Sequence, residues 1–181
     1  MLIPKIIKFN KFSDNRGYFR EGYNKIKFIE MGIDIDFVQE GESFSSEIGT
    51  LRGLHFQLPP YAQDKLVKCV RGAIFDVIVD IRKGSPNYGK WKSFTLSEDN
   101  GDQLFIPKGF AHGFVTLEKK TIICYKFSDY YNQIAEKSLY WNDKDIGIDW
   151  IIKKNLVINE KDSLAPLLKD FNSPFIWGNK F

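Results

Sequence analysis

Leu66-Val-Lys-Cys-Val70, then Arg71-Gly72, then Ala73-Ile-Phe-Asp-Val-Ile-Val-Asp-Ile-Arg82, is the stretch that decides the fold. Both runs are rich in β-branched residues. In the second, Val77, Val79 and Ile81 alternate with Asp76, Asp80 and Arg82, and Arg71-Gly72 punctuates the pair, so two strands joined by a tight turn are expected. Gly84-Ser85-Pro86-Asn87 is a turn by composition and residues 91–96 read as the next strand. Short strands are expected at 103–107 and 113–117 around Lys108-Gly109. Residues 121–128 alternate cleanly, with Ile123, Tyr125 and Phe127 on one face and Ile122, Cys124 and Lys126 on the other. Upstream, 37–46 reads as a strand and 2–9 as an edge strand. Asn24 can cap a short helix over 25–31 that Gly32 ends. Residues 138–150 read as irregular and 163–171 as a terminal helix. Many short strands at 8–12-residue spacing predict an all-β sandwich or barrel, such as a jelly roll, with short peripheral helices.

The chain of 181 residues is expected to form one domain over 1–181, large enough for a real core. Net charge is only +3, with acidic and basic residues interleaved, which argues against nucleic-acid and membrane-surface partners. No run reaches the ~20 apolar residues of a membrane span, and the first residues lack a signal-peptide pattern, so a cytoplasmic location is expected. Cys69 and Cys124 are too few for a disulfide framework and are expected as buried thiols. Aromatics, at 15%, suit sheet structure and a pocket that stacks on flat ligands.

Chemistry concentrates in Thr50-Leu-Arg-Gly-Leu-His-Phe-Gln-Leu-Pro-Pro-Tyr-Ala-Gln-Asp-Lys65, which sets His55 between Arg52 and Lys65. A histidine titrates near neutrality, an arginine fork suits a phosphate, and a lysine suits a developing oxyanion. The alternative is two strands around a Pro-Pro turn with ordinary surface charges. The other histidine, His112, closes a G-x5-P-x-G-x2-H run from Gly101 that resembles the second motif of cupin jelly-roll barrels. Cupin metal sites also draw on an H-x-H segment, which this chain lacks. A site built from His55, His112 and one acid is arithmetically open, because such metals normally take three protein ligands. A buried histidine satisfying turn backbone is the other reading of His112.

Six stretches, in order, carry a wider resemblance: DNRGYF (14–19), LRGLHFQ (51–57), DVIVDIRKGSP (76–86), IPKGFAHGF (106–114), YKFSDYY (125–131) and WNDKDIGIDW (141–150). Together they resemble the dTDP-4-dehydrorhamnose 3,5-epimerases. The resemblance implies a metal-free, cofactor-independent cupin-type jelly-roll barrel, working as a homodimer whose N-terminal strands cross to the partner. It implies a nucleotide-linked 4-keto sugar as substrate, in synthesis of surface polysaccharide precursors. A proton next to the ketone is removed, an enolate forms, and reprotonation from the other face inverts the centre at C3, C5 or both. Such chemistry needs a base, an acid on the opposite face, and positive charge at the carbonyl oxygen.

By resemblance His55 is the base, Asp162 its orienting carboxylate, Tyr125 the acid and Lys65 the stabiliser of the enolate oxygen. Read alone, Asp162 sits near the start of a helix, Tyr125 is a core aromatic and Lys65 a solvated strand-end lysine. The resemblance also places His112 beside the sugar, Arg16 and Arg52 on the diphosphate with Arg16 reaching across the dimer, and Phe19 and Glu21 near the nucleotide base. Gln39, Glu136 and Lys161 are further ligand contacts, and Tyr131 stacks on the sugar or its base. For each charged residue a surface ion pair is the plain alternative. The family pattern Q-x-N-x-S is broken at Gly41, and its usual Trp-Pro reads Trp150-Ile151. The first change lies in the ligand-contact region and leaves open which sugar nucleotide is used, dTDP- or GDP-linked. A 3,4-ketoisomerase on the same barrel and a metal-dependent cupin oxygenase are the alternatives.

Overall fold

The structure is a computed structural model that describes residues 2–179; Met1, Lys180 and Phe181, the ends of the span expected to form one domain, lie outside the described residues. In chain order the elements are β1 (Lys5–Ile7), β2 (Lys11–Asp14), β3 (Gly17–Arg20), α1 (Lys25–Glu30), β4 (Gln39–Ser45), β5 (Leu51–Gln57), β6 (Lys65–Arg71) and β7 (Ala73–Asp80). They continue with β8 (Trp91–Ser97), β9 (Gln103–Ile106), β10 (Phe110–Thr116), β11 (Thr121–Phe127), β12 (Glu136–Ser138) and α2 (Glu160–Ser163).

Two five-stranded sheets face each other, in the orders β1-β9-β6-β11-β4 and β12-β5-β10-β7-β8. Every strand pairing within them is antiparallel, which makes the architecture a cupin-type jelly roll. The hairpin β2–β3 forms its own two-stranded sheet. The turn between β6 and β7 needs Gly72: its φ is +75°, and a Cβ there would lie 2.5 Å from Thr121 Oγ1.

The space between the sheets is filled at one end by Val67, Cys69, Leu104, Ile106 and Ile123 from the first sheet, and by Ile74, Ile78, Leu96, Phe110 and Phe114 from the second. The second sheet is covered on its outer side as well. Phe75, Val77, Val79 and Val115 pack there under Leu139, Ile146, Trp150, Leu168 and Phe175 of the C-terminal tail. This double cover explains why all eight residues of β7 are buried, although their alternation resembles that of a half-exposed strand. The acids fall inside: Asp80 pairs with buried Arg82, and Asp76 is fully enclosed.

Local predictions fail where chain geometry intervenes. The helix expected over 163–171 is instead α2 followed by a 3-10 turn at Leu168–Asp170. Pro166 separates them, because its ring disfavours helical backbone at Ala165 and it has no N–H for a helical bond. β10 begins at Phe110, three residues earlier than expected, so His112 lies mid-strand and not in the turn. β12, inside a stretch without strand periodicity, is held by pairing with β5. Cys69 is buried as expected, whereas Cys124 is only half-buried because its strand turns it to the outer face; both are free. No helix among the described residues is long and apolar enough to cross a membrane.

The helix α1 has Asn24 as its N-cap, which accepts from the Lys27 N–H, and buries one side chain, Phe28, against Ile7, Ile33, Leu66 and Phe105. Phe28→Ala is expected to cost about 3–5 kcal/mol of stability, read as a shift of the urea midpoint at unchanged slope.

Candidate active site

Successive side chains of a strand point to opposite faces, so Arg52 and His55 would normally diverge. They do not, because β5 carries a bulge. Its ladder with β10 pairs His55 with His112 and Arg52 with Phe114, so three steps on β5 oppose two on β10. Gly53 makes this possible. Its φ is +133°, and a Cβ on it would meet the Cα of Gly113 at 2.5 Å. The bulge turns both side chains into a cavity of about 300 Å³ between the sheets.

The backbone N–H of Gly53 donates to Asp162 Oδ2 at 3.0 Å, and the other oxygen, Oδ1, lies 2.6 Å from His55 Nε2. Asp162 is fully buried. Burial works to raise its pKa, but the His55 bond, the His55 charge and the Gly53 N–H outweigh it and hold the carboxyl below its usual range. The carboxylate is carried on α2, where Asn159 caps the helix by accepting from the Asp162 N–H at 2.7 Å. Asp162 is therefore both a first-turn helix residue and the partner of His55. With Nε2 committed, Nδ1 is the ring nitrogen left for a ligand.

Lys65 reaches the cavity from β6, with Nζ donating to the His55 carbonyl at 3.2 Å. It is 8% exposed, and desolvation brings its pKa down to about 8, opposed by the charges of Asp76 and Glu136. Tyr125 enters from β11, stacks on Phe127 at 5.6 Å, and places its hydroxyl 3.4 Å from Ser43 Oγ. Desolvation pushes this phenol well above the ordinary range; the Ser43 hydrogen bond works against that. His112 Nε2 is 2.9 Å from Asp76 Oδ2.

Of the residues singled out in the sequence, His55, Lys65, Tyr125, Arg52, His112, Gln39, Tyr131 and Glu136 all line this cavity. Arg52 is steadied by donating to Ser45 Oγ and the Phe44 carbonyl. Tyr131 donates its hydroxyl to Glu136, and its backbone N–H is accepted by Gln39. Lys161 does not line the cavity but pairs with Glu136 at 2.5 Å, at its rim. Arg16, Phe19 and Glu21 are not brought to it within one chain. Arg16 is bonded to Asp14, Phe19 is 70% exposed on β3, and Glu21 is bonded to Asn24 and Lys27. Sequence reasoning missed Ser43, Gln57, Gln63, Phe114 and Phe127 in the lining, and Asp76 behind it. For Asp76 the available signal was an acid in the most apolar strand of the chain. Among the described residues no group of three His, Cys, Asp or Glu is placed to hold a metal ion, and each histidine is paired with its own carboxylate.

The fold and its polar cavity between two jelly-roll sheets define a cupin-type barrel with converging titratable side chains. Comparison with known proteins narrows this. The family model described as dTDP-4-dehydrorhamnose 3,5-epimerase matches residues 4–170. The dTDP-4-dehydrorhamnose 3,5-epimerase of Sinorhizobium fredii is 52% identical over 164 residues, covering 91% of this chain and 84% of the relative. The Legionella pneumophila dTDP-6-deoxy-D-glucose-3,5-epimerase, solved with dTDP-4-keto-L-rhamnose, superposes with TM-score 0.90 at 41% identity, covering 93% of this chain and 89% of that one. The Bacillus anthracis dTDP-4-dehydrorhamnose 3,5-epimerase, solved with TDP and PPi bound, gives TM-score 0.88 at 46% identity over 91% and 93% of the two chains. The chain belongs to the dTDP-4-dehydrorhamnose 3,5-epimerase family and is an isomerase of the epimerase class.

Gly53→Ala is expected to cost about 3 kcal/mol, because the backbone of Gly113 must move, and to lower activity in the surviving folded protein by separating His55 from Asp162. Chemical denaturation and activity per folded molecule check the two effects separately.

Proposed function

We propose that the chain, acting as one catalytic domain, inverts C3 and C5 of dTDP-4-keto-6-deoxyglucose without metal or cofactor, supplying a precursor for surface polysaccharide in the cytoplasm. The observation that carries this reading is the convergence of the His55–Asp162 pair, Tyr125 and Lys65 on one cavity. His55 removes the proton through Nδ1, while Asp162 holds the ring and stabilises the imidazolium that forms. The Lys65 ammonium meets the C4 oxygen as it becomes an enolate. Tyr125 delivers a proton from the other face. Its raised pKa keeps it protonated, so it acts as acid and not as base. Arg52 binds the diphosphate and Tyr131 stacks on the nucleotide or sugar.

The active form is a homodimer. Phe12, Tyr18 and Phe19 are exposed on the β2–β3 hairpin, which pairs with no other described strand, and β4 is an unpaired sheet edge. Crossing of this hairpin and the residue that follows it to the partner would bring Arg16 to the diphosphate, and Phe19 and Glu21 to the nucleotide base, of the neighbouring cavity.

Incubation with dTDP-4-keto-6-deoxyglucose in deuterated water, followed by NMR, is expected to place deuterium at C3 and C5; label at one carbon only would mean a single-centre epimerase. His55→Ala should abolish exchange in a folded protein, and Tyr125→Phe should permit proton loss while blocking inversion. If Lys65 acts as its ammonium, kcat/KM falls as pH rises through about 8, the pKa of that group in the free protein. A profile flat to pH 9.5 would remove Lys65 from the mechanism.

A further inference from the structure

One carboxylate behind the cavity has no part in the steps above. Asp76 lies mid-way along β7, opposite Phe114 of β10 and Phe94 of β8, and is 0% exposed. Its Oδ2 faces His112 Nε2 at 2.9 Å, while Oδ1 is buried with no hydrogen-bond partner. Its neighbours in β7 are apolar, and Ile74 and Ile78 on the same face belong to the core. A half-satisfied buried carboxylate is a burden on stability that an apolar residue would not impose. Retaining one between the two sheets points to work done for the cavity.

We propose that Asp76 is a positioning residue for the epimerisation: it accepts the Nε2 proton of His112, so that the ring presents its Nδ1 lone pair to the keto sugar, and it is the buried counter-charge of Lys65. The inference rests on the epimerase reading above and extends it to a group that touches no substrate. Geometry carries the first half, and the mutual action of two buried charges supports the second. His112 lines the cavity with Nε2 already used, so only Nδ1 remains to meet a sugar hydroxyl. The charges of Asp76 and Lys65 act on each other, and Asp76 and Glu136 are the two acids that oppose the loss of the Lys65 proton. Glu136 is already engaged by Lys161 and Tyr131, whereas the free oxygen of Asp76 is not. The other groups around this point are Tyr125 on β11, which feels the Asp76 charge, and Arg52 and His55 on β5; from β8 the facing residue is apolar. Without Asp76 the ammonium would keep only Glu136 as a counter-charge in its desolvated site, and its proton would leave at lower pH.

Asp76→Asn tests this. It preserves size and can still bond His112, but it removes the charge and lets the ring take either tautomer. Expected are dTDP affinity within twofold of wild type, kcat lower by about a hundredfold, and an alkaline limb of kcat/KM moved to lower pH. A kcat within threefold of wild type would overturn the proposal. So would a fall in kcat with an unmoved alkaline limb, which would mark Asp76 as merely structural. The chain has only two histidines, so 15N-histidine labelling reads each ring directly. If the variant does not fold, wild type still decides: His112 must show the Nε2–H tautomer, and the Nδ1–H tautomer would overturn the proposal. A wild type that exchanges no protons of the keto sugar would instead sink the epimerase reading, an outcome seen before any variant is compared.

Discussion

The buried carboxylate of Asp162 is the constraint on which the rest of the site depends. A charge removed from water must be compensated by donors held in place, or it destabilises the fold by several kcal/mol. Here the donors are the Gly53 N–H and the His55 ring, both on β5, and the acid arrives on α2 from more than a hundred residues away. The Gly53 N–H is available because β5 bulges there instead of continuing its ladder. That bulge requires two glycines in contact, Gly53 and Gly113. The same feature that satisfies the acid brings Arg52 and His55 to one side, so the geometry of the reaction and the satisfaction of a buried charge have one solution.

The two faces of the second sheet divide the labour. Its outer face is apolar across β5, β10 and β7 and is covered there by the tail from Leu139 to Phe175. The inner face is apolar only toward one end, where it meets β6, β9 and β11 of the other sheet. Toward the other end the facing strands leave a cavity, and the polar groups gather around it. A barrel stabilised by its tail can hold an imperfectly packed, polar interior, which a sandwich of two sheets alone would sustain less easily.

Legibility followed the same division. Strands β6, β7 and β11 could be read because apolar alternation is a local property of the chain. The extent of β10 and the existence of β12 could not, since both depend on β5 lying alongside. The terminal helix failed at Pro166, a local signal that apolar periodicity obscured. Within the site, His55, Arg52 and Lys65 stood out as residues, but Asp162 was chosen only through the family resemblance, since nothing near it in sequence reveals a partner so distant. Asp76 was visible as a letter and invisible as a site: an acid alternating with valines reads as a solvent-facing position until the second sheet is known to be covered on both sides. Arg16, Phe19 and Glu21 remain apart from the cavity in one chain, because the hairpin that carries Arg16 and Phe19 pairs with neither large sheet and Glu21, just after it, is bonded to Asn24 and Lys27.

One physical cause underlies the division between the proposed acid and the proposed stabiliser. Lys65 and Tyr125 stand on adjacent strands, β6 and β11, and both are desolvated by the same enclosure. Desolvation disfavours charge of either sign, so it moves the lysine down and the phenol up. The lysine is brought close to neutrality yet stays mostly cationic at pH 7, able to meet an oxyanion with little competition from water. The phenol is driven the other way and keeps its proton, which suits the acid role proposed for it. A more open cavity would relax both shifts together, leaving a more strongly hydrated ammonium and a phenol closer to its ordinary acidity. The burial of both groups beneath the cavity walls, with Phe114 and Phe127 among the lining, thus suits the opposite tasks proposed for these two neighbouring side chains.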